Sequence, residues 1–346
     1  MNFSDTLLRW YRSNKRDLPW RDSKDPYKIW ISEIILQQTR VDQGIPYYFN
    51  LIRQFPNIQV LSEASEQSIL NVWKGLGYYS RARNIHYTAK YVVQQLNGKF
   101  PCTYKSLMDL KGIGPYTAAA IASICYNESV PAIDGNVSRV ISRYYGIEDA
   151  VSTSVFKRKI QLISEQLISQ NAPGDYNQAV MEYGAVICKP LAPKCEICPF
   201  YDSCFAFQNN KITILPKKKK QIKKKMRFFN YFHLVLPNNM IVIKKRLKED
   251  IWKNLWELPL VECDKLLDYN ELKTISFLNG LHQETVVLKG RKDFIHQLSH
   301  QTLNIRIFTI NLSNSDFFSE KEYTFVNQDD NSYPFPRIIE NFLKTY

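Results

Sequence analysis

No window of this 346-residue chain comes near the roughly 20 apolar residues in a row that a membrane-spanning helix needs. The opening run MNFSDTLLRWYRSNKR carries charge too early and too often for a secretory signal. No repeat of the 20-to-50-residue kind is present, and low complexity is confined to one lysine run. Acidic residues are in short supply, with 33 Asp and Glu against 46 Lys and Arg, which leaves a formal net charge of +13. That imbalance points to an anionic partner, nucleic acid first and acidic membrane surface second. Without an export signal, seven cysteines argue against a disulfide framework. The expected location is the cytosol, in association with DNA.

What is present suits a folded protein of two domains, each long enough to bury a core. From Phe3 to about Ile187 apolar residues recur at helical spacing between short breaks of Gly, Pro or Asn. A cysteine-rich stretch follows, and then Lys217–Lys220 and Lys223–Lys225 form a basic run that reads as a linker able to touch phosphates. Beyond it FFNYFHLVL, MIVIKKR, ETVVLKG and LNIRIFTI have the β-branched and aromatic content of strands, so the second domain reads as α+β.

Within DPYKIWISEIILQQTRV, Asp25 is placed to cap a helix that Pro26 opens. Glu33 then stands among Ile29, Trp30, Ile31, Ile34, Ile35 and Leu36. A carboxyl so surrounded either keeps its proton near neutral pH, as a general acid requires, or is paired with an arginine. The Gln37-Gln38-Thr39 triplet after it offers amides that can read base edges or merely face solvent. SLMDLKGIGPYTAAAIASICY reads as helix, tight turn, helix, with Gly112 and Gly114 in the turn. Such a hairpin, at about residues 107–123, resembles the helix-hairpin-helix of DNA repair enzymes, where backbone N–H groups bind phosphate without reading sequence. Asp134 precedes an amphipathic helix, either as a plain cap or as a carboxylate kept ionised by the helix dipole, opposite to Glu33. Two carboxyls with pKa values pushed apart suit the cutting of a glycosidic bond. Finally, Cys188-x6-Cys195-x2-Cys198-x5-Cys204 can hold a 4Fe-4S cluster or zinc, while Cys102, Cys125 and Cys263 read as core or incidental.

The hairpin, Asp134 and the cysteine spacing, in that order, resemble the endonuclease III superfamily of base-excision enzymes. Within it LPWR, WISEIILQQTRV, WKGLGYYSRARN, GIGPYTAAA and AIDGNVSRV resemble the MutY-type adenine glycosylases over about 200 residues. The resemblance implies a multi-domain chain: an all-α helix-hairpin-helix glycosylase domain (1–210) with a 4Fe-4S loop (188–204), a basic linker (211–227) and an α+β Nudix-like domain (228–346). It also implies a monomer acting on double-stranded DNA that carries adenine opposite 8-oxoguanine or guanine.

Carried over by position, Glu33 looks like the acid that protonates N7 of adenine and then activates water, and Asp134 like the carboxylate that stabilises the oxocarbenium-like sugar. Tyr116 and Asn136 are similar to the residues that hold these two groups. Gln38 and Tyr78 match residues that enter the base stack. Tyr116 stands where the bifunctional branch carries a lysine nucleophile, so a glycosylase without lyase activity is expected; the alternative is an endonuclease III-like glycosylase/lyase. A catalytically silent iron-sulfur protein that binds DNA would leave Glu33 and Asp134 unexplained. In the second domain IWKNLWELPL resembles the family's tryptophan-containing loop, and HQLSHQTLNIRIF its 8-oxoguanine recognition loop. Ser299 and His300 match that loop, while Leu298 replaces the family's phenylalanine. The glycine-glutamate box of Nudix hydrolases is missing, which argues against pyrophosphatase activity.

Overall fold

The computed structural model describes residues 2–218, 224–274, 286–298, 300–313, 322–330 and 332–345. Ser299, much of the lysine run and the start of ETVVLKG lie outside the described residues. The chain forms two compact units, Met1–Ala64 with Asn84–Lys220, and Ser65–Arg83 with Gln221–Tyr346. Helices α1 (Phe3–Asn14), α2 (Pro26–Leu36), α3 (Val41–Gln54) and α4 (Ile58–Glu63) precede α5 (Glu66–Trp73), which belongs to the second unit. After it come α6 (Ser80–Gln95), α7 (Tyr104–Met108), α8 (Pro115–Tyr126), α9 (Gly135–Tyr145), α10 (Ser154–Leu167), α11 (Pro173–Val186) and α12 (Phe205–Gln208).

Local chemistry explains the helices that matter most. The Asp25 side chain accepts from the Tyr27 N–H and Pro26 occupies the first turn, so α2 starts where the sequence indicated. Every residue from Ile29 to Ile35 is buried, as befits a helix apolar on all sides, and α2 packs against α3 and α8. In α8 the small residues Ala118, Ala119, Ala120 and Ala122 are buried, which lets it sit among α2, α7 and α11. The turn before α8 needs glycine at 112: its φ is +82°, and a Cβ there would stand 2.7 Å from the Asn84 Cβ. Gly184 of α11 has a different reason, since a Cβ there would stand 2.6 Å from the Asn136 Cβ. Its absence lets the start of α9 settle onto α11. Leu7, Val140, Ile141, Ile160, Ala179 and Tyr183 tie α1, α9, α10 and α11 into one core.

Among the described residues the second unit is built on a seven-stranded sheet, with β1 (Lys225–Leu236), β2 (Met240–Lys245), β3 (Trp256–Glu257), β4 (Leu260–Cys263), β5 (Val286–Gln297), β6 (Gln301–Leu312) and β7 (Thr324–Asn327). The order is β3-β2-β1-β6-β5, with β4 on β1 and β7 on β2. β1 and β6 run parallel and the other pairs antiparallel. These central strands are covered on both faces and read as near-continuous apolar runs. Phe229, Tyr231, Ile305 and Ile307 pack beneath α13 (Arg337–Leu343) through Ile339 and Phe342. Phe232, Leu234, Phe308 and Ile310 form the other face with Leu272.

Ser65–Arg83 joins this unit through polar ties: Asn254 Nδ2 donates to Glu66 Oε1 (2.5 Å), Asn71 Nδ2 to the Ser332 carbonyl (3.0 Å) and Arg83 Nη1 to the Lys253 carbonyl (2.7 Å). Sequence order groups the segment with the helices around it. Its partners lie more than 150 residues away, beyond the reach of any local pattern.

Candidate active site and cysteine loop

A cavity of about 480 Å³ opens in the first unit where three segments converge. The end of α2 supplies Glu33 and Gln38, the hairpin and the start of α8 supply Gly114 and Tyr116, and the start of α9 supplies Asp134. Glu33 is 7% exposed, and desolvation pushes its carboxyl up to about 7 despite a hydrogen bond with Tyr116 that pulls it down. The Tyr116 hydroxyl also lies 3.0 Å from Met181 Sδ, and burial raises its pKa well above that of a free phenol.

Asp134 caps α9. Its Oδ1 accepts from the Val137 N–H (2.8 Å) and its Oδ2 from Asn136 Nδ2 (2.7 Å). The helix end is expected to favour the ionised form, but burial outweighs it and raises the Asp134 carboxyl above its ordinary value. The Val137 and Asn136 bonds oppose that rise. Glu33 has fewer opposing bonds, and its carboxyl is the one pushed up to about 7.

Several residues that sequence reasoning passed over lie behind the groups that line this cavity. Arg139, buried on α9, donates to Asn136 Oδ1 (2.8 Å) and to the carbonyls of Gly184 (2.7 Å) and Cys188 (2.7 Å). A continuous chain of bonds therefore runs from the backbone of Cys188 through Arg139 and Asn136 to the Asp134 carboxylate. Glu182 of α11 is buried and grips two arginines, Arg16 (2.5 Å) and Arg21 (2.6 Å). Burial would raise the Glu182 carboxyl, but bonds from Arg16 and the charge of Arg21 leave it lowered. Arg21 also bonds Gln178 Oε1 (3.0 Å), lies close enough to lower the Glu33 pKa and keeps its Nε buried without a protein partner. The available signal was the period of SRVISR, which sets Arg139 and Arg143 beside apolar positions of α9; LPWR, a turn, offers no such period for Arg21.

The four cysteines Cys188, Cys195, Cys198 and Cys204 line one small pocket. Among the described residues no three His, Cys, Asp or Glu side chains converge tightly enough to hold a single metal ion. Donors nonetheless point at the sulfurs: the Tyr183 hydroxyl reaches Cys198 Sγ (2.8 Å), the Phe200 N–H the same sulfur (3.4 Å) and Arg143 Nη1 reaches Cys188 Sγ (3.4 Å). Arg143 also donates to the Lys189 and Leu215 carbonyls, at 2.7 and 2.9 Å. Of the remaining cysteines, Cys102 is exposed rather than core, and Cys125 and Cys263 are half-buried.

Both residues proposed for base-stack entry have left-handed backbones, φ +57° at exposed Gln38 and +50° at Tyr78, a conformation uncommon outside glycine and asparagine. Gln38 lines the cavity with Glu33. Tyr78, 46% exposed, lies in the second unit, where it lines a separate cavity with Tyr79, Arg83, Trp252, Leu298 and exposed His300. Tyr79 is buried and its hydroxyl accepts from the Gly75 N–H (3.2 Å).

Comparison with known proteins accords with this layout. Residues 31–165 match the family described as HhH-GPD superfamily base excision DNA repair protein, and residues 230–345 match the NUDIX domain. A solved thermostable thymine-DNA glycosylase is 28% identical, with a TM-score of 0.55 over 60% of this chain and 95% of its own. The fold and the hairpin cavity thus define a helix-hairpin-helix repair glycosylase carrying a Nudix-like domain. An adenine DNA glycosylase of Buchnera aphidicola subsp. Schizaphis graminum is 37% identical over 98% of each chain. The human adenine DNA glycosylase is 41% identical over 60% of this chain and 39% of its own. The chain belongs to the adenine DNA glycosylase family. Among the described residues no helix is long and apolar enough to cross a membrane.

Proposed function

We propose that this enzyme hydrolyses the N-glycosidic bond of adenine mispaired with 8-oxoguanine or guanine in double-stranded DNA, leaving an abasic site. The observation that carries the reading is the convergence of Glu33, Tyr116 and Asp134 on one cavity beside the hairpin. With a pKa of about 7, Glu33 is protonated in a large fraction of molecules at neutral pH. It donates that proton to N7 of the flipped adenine, and the C1′–N9 bond breaks with its electron pair leaving on the base. Positive charge appears on the sugar, where the Asp134 carboxylate stabilises it. The Glu33 carboxylate then takes a proton from a water that adds to C1′. Tyr116 supports both states of Glu33, donating to the carboxylate or turning to Met181 when Glu33 is protonated. A phenol cannot form a Schiff base with the sugar, so no lyase step accompanies excision.

In this reading Gly112 and Gly114 bring the hairpin backbone to a phosphate, and Gln38 and Tyr78 fill the gap left by the flipped base. His300 and Ser299 recognise the oxidised guanine. Four thiols around a pocket, with N–H and O–H donors aimed at sulfur, suit a 4Fe-4S cluster, in which each thiolate takes its own iron. Cys188, Cys195, Cys198 and Cys204 would hold it, and it would brace the loop that Arg139 and Arg143 connect to α9. The test is Glu33→Gln on duplexes that differ in one mismatch. Excision, read as alkali-labile sites, is expected to fall at least a hundredfold while mismatch binding persists. Turnover within tenfold of the unaltered enzyme, about 1.4 kcal/mol of barrier, removes Glu33 from the role of acid.

A further inference from the structure

Tyr183 belongs neither to the cavity nor to the cysteine set, yet its hydroxyl is aimed at one of the four sulfurs. The residue sits on α11, 2% exposed, with its oxygen 2.8 Å from Cys198 Sγ. Its ring is fixed edge-on between Trp10 (centroids 4.8 Å, 86°) and Phe200 (5.4 Å, 78°), which leaves the hydroxyl little freedom to turn elsewhere. The packing thus holds the hydroxyl as a donor to that sulfur. Cys198 receives a second bond from the Phe200 N–H (3.4 Å). None of this bears on adenine, and a leucine or phenylalanine would fill the same apolar volume between Trp10 and Phe200. A hydroxyl in a dry aromatic nest is costly unless its partner gains from it.

We propose that Tyr183 sets the reduction potential of the iron-sulfur cluster and protects it from oxidative loss. The inference rests on the reading that the four cysteines carry such a cluster. A donor to a ligating sulfur withdraws electron density and favours the more negative, reduced form, so the bond raises the potential. Its removal makes the cluster easier to oxidise. Tyr183 is here a positioning and tuning residue, acting through Cys198.

The experiment compares the iron-loaded full-length protein with Tyr183→Phe, which keeps the ring and deletes the donor. Voltammetry of each protein on a DNA-modified electrode is expected to show a more negative potential for the variant, at equal iron content per chain. Visible absorbance should also bleach severalfold faster in air. Where the variant takes up iron poorly, 3-fluorotyrosine placed at position 183 alone still reports: it keeps the ring and makes the hydroxyl a stronger donor, so the potential should rise above that of the unaltered protein. Iron-loaded Tyr183→Phe with an unchanged potential and bleaching rate overturns the inference, as does a potential unmoved by the fluorinated tyrosine. A colourless unaltered protein without iron overturns the cluster reading instead, so the two failures are distinct.

Discussion

Glu33 is where burial and chemistry meet in a single side chain. A carboxyl whose folded pKa is about 7 holds its proton through the range in which an unfolded glutamic acid, near 4.5, has lost it. Two consequences follow with opposite practical value. Excision under kcat/KM conditions should decline as pH rises through about 7, since the proton that N7 needs is leaving. Stability behaves likewise: the contribution of the buried neutral acid is fully present below the unfolded pKa and is lost as pH rises through the folded one. Glu33→Gln should therefore be more stable than the unaltered enzyme at pH 8 and lose that advantage by pH 4.5. A tenfold difference in proton affinity between the folded and unfolded chain is worth about 1.4 kcal/mol of stability. Urea denaturation at the two pH values measures the difference; equal stability at both would mean that Glu33 is not desolvated. The sequence already told that Glu33 is ringed by isoleucines. It did not tell that Arg21 and Glu182 lie near, because a buried ion pair between positions 161 residues apart leaves no local trace.

At the scale of the element, α9 does two tasks through one end. Asp134 closes the helix as its cap and also faces the cavity, so simple loss of function on mutation would not separate the roles. Asparagine caps as well as aspartate, whereas alanine costs about 1 kcal/mol. Asp134→Asn should thus keep the melting temperature and lose most excision, and Asp134→Ala should lose both. Retained activity in the asparagine variant would reduce Asp134 to a cap. Arg139 extends the same logic along the helix. With acceptors in Asn136, Gly184 and Cys188, it links the site to the cysteine loop, and deleting a buried charged donor strands all of them. Arg139→Met should lower excision more than tenfold and reduce retained iron together; loss of neither would sink the linkage. The caps and periods of α2, α8 and α9 were legible because they are local. The partners of Tyr183, Arg139 and Arg143 were not, since nothing in a tyrosine or an arginine on a helix announces a sulfur or carbonyl waiting across the fold.

For the whole molecule, the division of the chain alters where a functional boundary can be cut. The order of motifs suggests a catalytic fragment ending near Asn210, but Arg143 Nε donates to the Leu215 carbonyl (2.9 Å) and Val151 to that of Lys217 (3.1 Å). The cut belongs after Lys218. Such a fragment retains Glu33, Tyr116, Asp134 and all four loop cysteines, and it should excise adenine opposite guanine. It also retains Ser65–Arg83 while losing Lys253, Asn254, Ser332 and Glu340, to which that segment is tied. Its melting temperature should consequently fall below that of the first transition of the full chain. What it should lose beyond stability is the extra preference for adenine opposite 8-oxoguanine, because His300 and Ser299 are gone. The slope of binding against salt should weaken too, by about 0.9 per phosphate contact removed with the lysines. Single-turnover excision on both mismatches, for full-length and shortened protein, gives a ratio of ratios from which a general loss of folded enzyme cancels. Leu298 makes the magnitude informative. With leucine in place of an aromatic ring, the full chain should show a smaller preference than its own Leu298→Phe variant, and the fragment a smaller one still. An unchanged ratio in a folded, active fragment would mean that the second domain does not read the lesion, whatever its likeness to domains that do.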